Sequence, residues 1–127
     1  SGGTGAAIAA AFARVGLGTD TGGSIRGPAS FNGIVGLKPT MGLVSRAGIV
    51  PLALSLDTVG PMARSVYDVA ATLGTLTGVD PADPATQASE GRYERDYTRY
   101  LQRGALRGAR IGIGRDFVGG DPAVDAV

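Results

Sequence analysis

The chain has 127 residues and a formal charge of +1, from 12 basic and 11 acidic side chains, and it contains neither cysteine nor histidine. Charges this balanced offer no basic stripe for nucleic acid and no acidic tail, so the expected partner is a small molecule or a peptide. The missing residue types remove disulfides, thiol nucleophiles, cysteine metal sites and the usual imidazole base, and no apolar run approaches the roughly 20 residues of a membrane span. One domain of this length would bury roughly two-thirds of its unfolded surface. The start at Ser1 and the close on "DPAVDAV", which reads as the opening of a helix, suggest instead a segment of a longer polypeptide.

In chain order, residues 5–14 ("GAAIAAAFAR") are dense in the best helix former and carry almost no charge, which predicts a helix buried on most faces. Residues 15–20 ("VGLGTD") read as a short buried strand feeding a glycine turn. After Ser24 a helical turn can start, kept short by Gly27 and Pro28. Residues 34–40 ("IVGLKPT") form a second apolar strand candidate, and residues 41–64 mix apolar pieces with Gly and Pro, as extended chain and loops do. The clearest helix is 65–78, with Ser65 as cap, Asp68 completing a box-like start, and Val66, Val69, Leu73 and Leu76 on one face. Residues 79–91 read as a surface loop or linker. Tyr93, Tyr97, Tyr100 and Leu101 then recur at helical spacing, and residues 109–117 ("ARIGIGRDF") read as a strand. The alternation points to an α/β architecture.

The stretch "GTDTGGSIRGPAS", residues 18–30, carries the chemistry. A Gly-Gly pair before a polar residue lets the backbone turn tightly and aim consecutive N–H groups at one point. Three readings stand side by side: a nest for phosphate or another anion, an oxyanion hole beside a nucleophilic serine, and a glycine-rich connector without chemistry.

From Ser1 to about Pro84 the chain resembles the amidase signature family, most specifically in "GTDTGGSIRGPAS", "GIVGLKPT" and "SLDTVGPMARSVYDVA". The resemblance implies an α/β fold in which a mixed sheet is flanked by helices on both faces, with residues 1–127 forming part of an amidase domain. It also implies a serine hydrolase that uses no histidine. Ser24 matches the nucleophile, which the family activates through a second serine, held by a cis peptide bond, and a lysine base. Ser1 lies 23 positions before Ser24, one short of the relay serine, so the relay serine and the lysine are expected upstream. The backbone N–H groups of Thr21, Gly22, Gly23 and Ser24 match the oxyanion hole, with Asp20 and Arg26 holding the turn's shape.

Lys38, the single lysine, falls in "GLKPT" and matches a structural position rather than the base. Asp57, Arg64 and Asp68 match scaffold positions, and Thr4 and Gly27 depart from the commonest pattern. The implied activity is amide C–N hydrolysis through an acyl-Ser24 intermediate on a small-molecule or peptide amide. No metal or organic cofactor, nucleic acid or membrane is implied, and a homodimer is compatible. The runner-up within the family is the ammonia-releasing glutaminase component of a glutamyl-tRNA amidotransferase. From another class stands the anion-binding module, against which the loop lacks a Walker-type lysine. The isolated chain is expected to be inactive and marginally folded.

Overall fold

A computed structural model describes residues 1–112, 114 and 119–125. The elements are α1 (Gly2–Ala9), β1 (Val15–Asp20), α2 (Arg26–Phe31), β2 (Val35–Gly36), β3 (Thr58–Ala63), α3 (Val66–Leu76) and α4 (Pro122–Asp125). Two 3-10 segments, Pro84–Ser89 and Thr98–Tyr100, lie between α3 and α4. The three strands pair antiparallel in the order β1-β3-β2, with Leu17 opposite Pro61 and Gly36 opposite Met62.

Helices cover both faces of this sheet, as in an α/β fold. Side chains alternate along β3. Met62 points into a cluster with Ile8 of α1 and with Ile25 and Ala29 at α2, whereas Val59 joins Val44 and Leu73 of α3. All six residues of β3 are buried in consequence. β1, at the sheet edge, is covered on one face only. Gly18 and Asp20 point inward while Val15, Leu17 and Thr19 are exposed, which corrects the expectation of a strand buried on both sides. The pairing among the described residues is purely antiparallel, so they do not contain the parallel part of the expected mixed sheet.

The sequence hides β3 inside the "extended chain and loops" of 41–64 because Gly60 and Pro61 break the strand pattern. Pro61 is tolerated because it sits where β2 stops pairing. The Leu37 N–H donates to the Pro61 carbonyl at 3.0 Å, and no proline N–H is needed in return.

α1 begins and ends earlier than its alanine content suggests. Arg64 accounts for part of this, since its Nη1 donates to the carbonyls of Ile8 (2.7 Å) and Ala13 (3.1 Å) and so fixes the exit. The helix closes with the Ala11 N–H on the Ile8 carbonyl and the Phe12 N–H on the Ala7 carbonyl, a Schellman pattern. Ala11 therefore occupies the left-handed position at φ 62°. Only Gly5 and Ile8 of α1 are buried, so the helix packs through one stripe rather than on most faces. We expect Ala11→Gly to stabilise the protein by about 0.5–1 kcal/mol, because glycine removes the left-handed penalty of a β-carbon. A lower thermal midpoint for that variant would contradict the cap assignment.

α3 is capped by Ser65, whose hydroxyl accepts from the Asp68 N–H at 3.0 Å, and Arg14 pairs with Asp68 at 2.9 Å. Its buried residues are Val69, Ala70, Leu73 and Gly74, while Val66 lies exposed outside the anticipated face. The expected linker at 79–91 is instead packed. Asp83, Thr86 and Ser89 are buried there, and Arg46 grips Asp83 through Nε at 2.8 Å and Nη2 at 2.7 Å. The tyrosine spacing in 92–108 yields no long helix, only the 3-10 turn at Thr98–Tyr100, which opens where the Asp96 carboxylate accepts from the Thr98 N–H. Of the strand read at 109–117, residues 109–112 and 114 are not strand, and residues 113 and 115–118 lie outside the described residues.

Candidate active site

The glycine turn leaves the inward end of β1 at Asp20 and enters α2 at Arg26. Its position is set from beneath by Ile25, which is fully buried. Three glycines, one on each strand, form the pad on which this side chain lies. A β-carbon at Gly18, Gly36 or Gly60 would stand 3.0, 2.9 or 3.1 Å from an Ile25 side-chain carbon. Larger residues there would crowd Ile25, and closer still the Ser1 side chain, the Ala29 methyl and the Leu37 carbonyl. Ser24, next to Ile25 in the chain, is exposed, and its hydroxyl makes no hydrogen bond among the described residues.

Asp20 organises the turn from its buried end. Oδ1 accepts from the Gly23 N–H at 2.6 Å, and Oδ2 accepts from the N–H groups of Ile25 at 3.1 Å and Arg26 at 3.4 Å. The Arg26 guanidinium closes on the same carboxylate through Nε at 3.1 Å and Nη2 at 3.3 Å. Burial alone would favour the neutral acid. The guanidinium and the three backbone donors overcome it and hold Asp20 well below the usual carboxylate range. Gly23 has φ 132°, a conformation that only glycine adopts freely, and it turns the following chain so that the N–H groups of Ile25 and Arg26 also face Asp20.

The Gly23 donor is thus consumed by Asp20. The N–H groups of Thr21, Gly22 and Ser24 have no protein partner among the described residues. Such donors beside an exposed hydroxyl can receive a phosphate, another anion or a developing oxyanion. The Thr21 side chain points elsewhere, donating to Asp57 Oδ1 at 2.5 Å.

Ser1 does not bond to Ser24. Its Oγ accepts from the Thr19 N–H at 3.1 Å and donates to the Thr19 carbonyl at 3.3 Å, occupying backbone groups on the free edge of β1. Lys38, just beyond β2, is half-buried and makes neither an ion pair nor a hydrogen bond among the described residues. Arg64 and Asp68 serve the ends of α1 and α3. Thr4 is half-buried on α1, where a β-carbon at Gly16 would meet its methyl at 2.7 Å, and nothing lies within 4 Å of one at Gly27. No cluster of metal-binding side chains occurs among the described residues, and no helix there is long and apolar enough to cross a membrane.

Sequence reasoning missed two parts of this arrangement. The Ile25 pad had no local signal, because its glycines, Gly18, Gly36 and Gly60, lie on three different strands. The Arg46–Asp83 pair joins residues 37 apart, and its one local signal is the Asp-Pro start of the 3-10 segment.

A family model described as Amidase matches residues 1–127. The A component of the glutamyl-tRNA(Gln) amidotransferase of Anaeromyxobacter dehalogenans is 51% identical over 128 residues, covering 99% of this chain and 25% of that protein. Among solved structures, the peptide amidase of Stenotrophomonas maltophilia superposes with a TM-score of 0.80 at 57% identity, over 84% of this chain and 22% of its own. An amidase family protein from Bacillus anthracis str. Ames gives 0.76 at 45% identity, over 79% of this chain and 20% of its own. The chain spans about a quarter of the length of the curated relatives it matches.

Proposed function

The chain belongs to the amidase family, and from that premise we propose that it carries the nucleophile and oxyanion-binding turn of an amide hydrolase. Ser24 Oγ attacks the amide carbonyl, the C–N bond breaks with release of ammonia or an amine, and water deacylates the acyl-Ser24 ester. The N–H groups of Thr21, Gly22 and Ser24 receive the oxyanion, and Asp20 with Arg26 keeps them aimed. Loss of one such donor costs on the order of 3–4 kcal/mol in other hydrolases.

The relay serine and the lysine base are placed upstream of Ser1, in a full-length polypeptide of which residues 1–127 form part of the amidase domain. Lys38 is not assigned as the base. The observation that carries this reading is the buried hold of Asp20 on a turn whose serine remains exposed beside unpaired donors. The substrate is a small-molecule or peptide amide. Two comparisons pull the finer assignment apart, since one relative is named for peptide amide chemistry and another for glutamyl-tRNA(Gln) amidotransfer.

Hydrolysis and anion storage would use the same donors and differ in what the assay reads. We expect the full-length protein to release ammonia from simple amides and to bind nucleotides or inorganic phosphate weakly at most. Calorimetry with ATP and phosphate beside an ammonia-release assay distinguishes them. Micromolar anion binding that weakens steeply with salt, without ammonia release, would replace the hydrolase by a binding module.

A further inference from the structure

We propose that Asp57 is a positioning residue for the Ser24 reaction, holding the leading half of the nucleophile turn through the Thr21 hydroxyl. The inference rests on the acyl-serine reading above and adds a residue to it. Asp20 grips the trailing half of the turn, at Gly23, Ile25 and Arg26, and touches neither Thr21 nor Gly22. Among the described residues, the leading half, which carries two of the three unpaired N–H groups, has one side-chain anchor, the 2.5 Å bond from Thr21 Oγ1 to Asp57 Oδ1.

Asp57 can serve as that anchor because it is itself fixed. It is buried immediately before Thr58, the first residue of the central strand. The Thr58 hydroxyl donates to the Asp20 carbonyl at 3.1 Å, so both carboxylates are referenced to one backbone junction. The second Asp57 oxygen accepts from the N–H groups of Leu52 and Ala53, both at 2.9 Å. Those bonds curl the segment before β3 into a closed turn. Arg46 braces its far side by donating to the Leu54 carbonyl while holding Asp83. The carboxylate therefore joins a braced loop to a turn that is otherwise free at Thr21.

Donors that must meet a developing oxyanion tolerate little displacement, and a shift of about 1 Å can cost on the order of a hundredfold in rate. The decisive variants, made in the full-length enzyme, are Thr21→Val, which keeps the shape without the hydroxyl, and Thr21→Ser, which keeps the hydroxyl. Turnover of a simple primary amide gives kcat and KM. A fluorophosphonate probe reports Ser24 reactivity without substrate.

Thr21→Val should lower kcat and the labelling rate by about 10- to 100-fold, with KM changed less than about threefold; the thermal midpoint should fall modestly, because Asp57 Oδ1 loses its donor. Thr21→Ser should recover most of the loss. Where Asp57→Ala folds, its loss should not deepen when Thr21→Val is added. Wild-type kcat in Thr21→Val, a Thr21→Ser enzyme as slow as Thr21→Val, or multiplicative losses in the double variant would each overturn the role of Asp57. Ser24 labelling that persists through such a result leaves the nucleophile standing, whereas labelling elsewhere refutes the underlying reading instead.

Discussion

Replacing Ser24 with alanine will lower amide hydrolysis by the full-length protein about ten-thousand-fold or more while leaving its thermal midpoint almost unchanged. The asymmetry follows from the local structure. Ser24 is exposed and its hydroxyl has no partner among the described residues, so its removal opens no cavity and orphans no buried group. The packing of the turn rests on the neighbouring Ile25, which is fully buried. Ammonia release and a thermal scan on the same preparation check both halves. Normal turnover by Ser24→Ala would remove the serine from the chemistry. A large drop in midpoint would show that its hydroxyl holds the turn together.

Asp20→Ala should fail in the opposite way, losing stability and activity together. The N–H groups of Gly23 and Ile25 would be left without their acceptor beneath the turn, and the two together cost about 2–4 kcal/mol. The partly exposed Arg26 side chain can return to water, so the ion pair adds little. The same carboxylate predicts an acid response. Asp20 and Asp83 are both held below the ordinary value, Asp20 by Arg26 and backbone donors against its burial, Asp83 first by Arg46. A depressed folded value means stabilisation that is complete above the unfolded value of about 4 and is lost as pH falls below it. The thermal midpoint should therefore be flat from pH 7 to 5 and fall below pH 4, less steeply in Asp20→Asn. A midpoint that rises between pH 5 and 3 would contradict the ionised Asp20 on which the site is built.

What the sequence made legible was local. β1 ends where a polar pair, Thr19 and Asp20, meets the glycine turn, and α3 starts at a serine cap with its acidic partner three residues on, so both stand at their anticipated places. The turn with Ser24 stood out because glycine pairs and short polar residues have few other uses in so small a space. What escaped was whatever depended on distant partners. β3 is a central strand in spite of Gly60 and Pro61 because β1, β2 and the clusters on both faces impose it. The alanine run of α1 stops early in part because Arg64, more than fifty residues away, binds the Ile8 and Ala13 carbonyls around its exit. Residues 79–91 looked like a linker because their buried groups are polar, and they are buried because Arg46 and Ser45 pair with Asp83 and Asp80. In the site, Asp57 was legible as a scaffold carboxylate, but nothing in its neighbourhood named Thr21 as its partner.

The nucleophile is tested most directly by treating the full-length protein with a fluorophosphonate probe, digesting it and locating the adduct by mass spectrometry. One stoichiometric adduct is expected on the peptide containing Ser24, none on Ser45 or Ser55, with complete loss in Ser24→Ala. An adduct on another serine, or labelling that persists in Ser24→Ala, would contradict the assignment of Ser24 as the acyl-ester nucleophile.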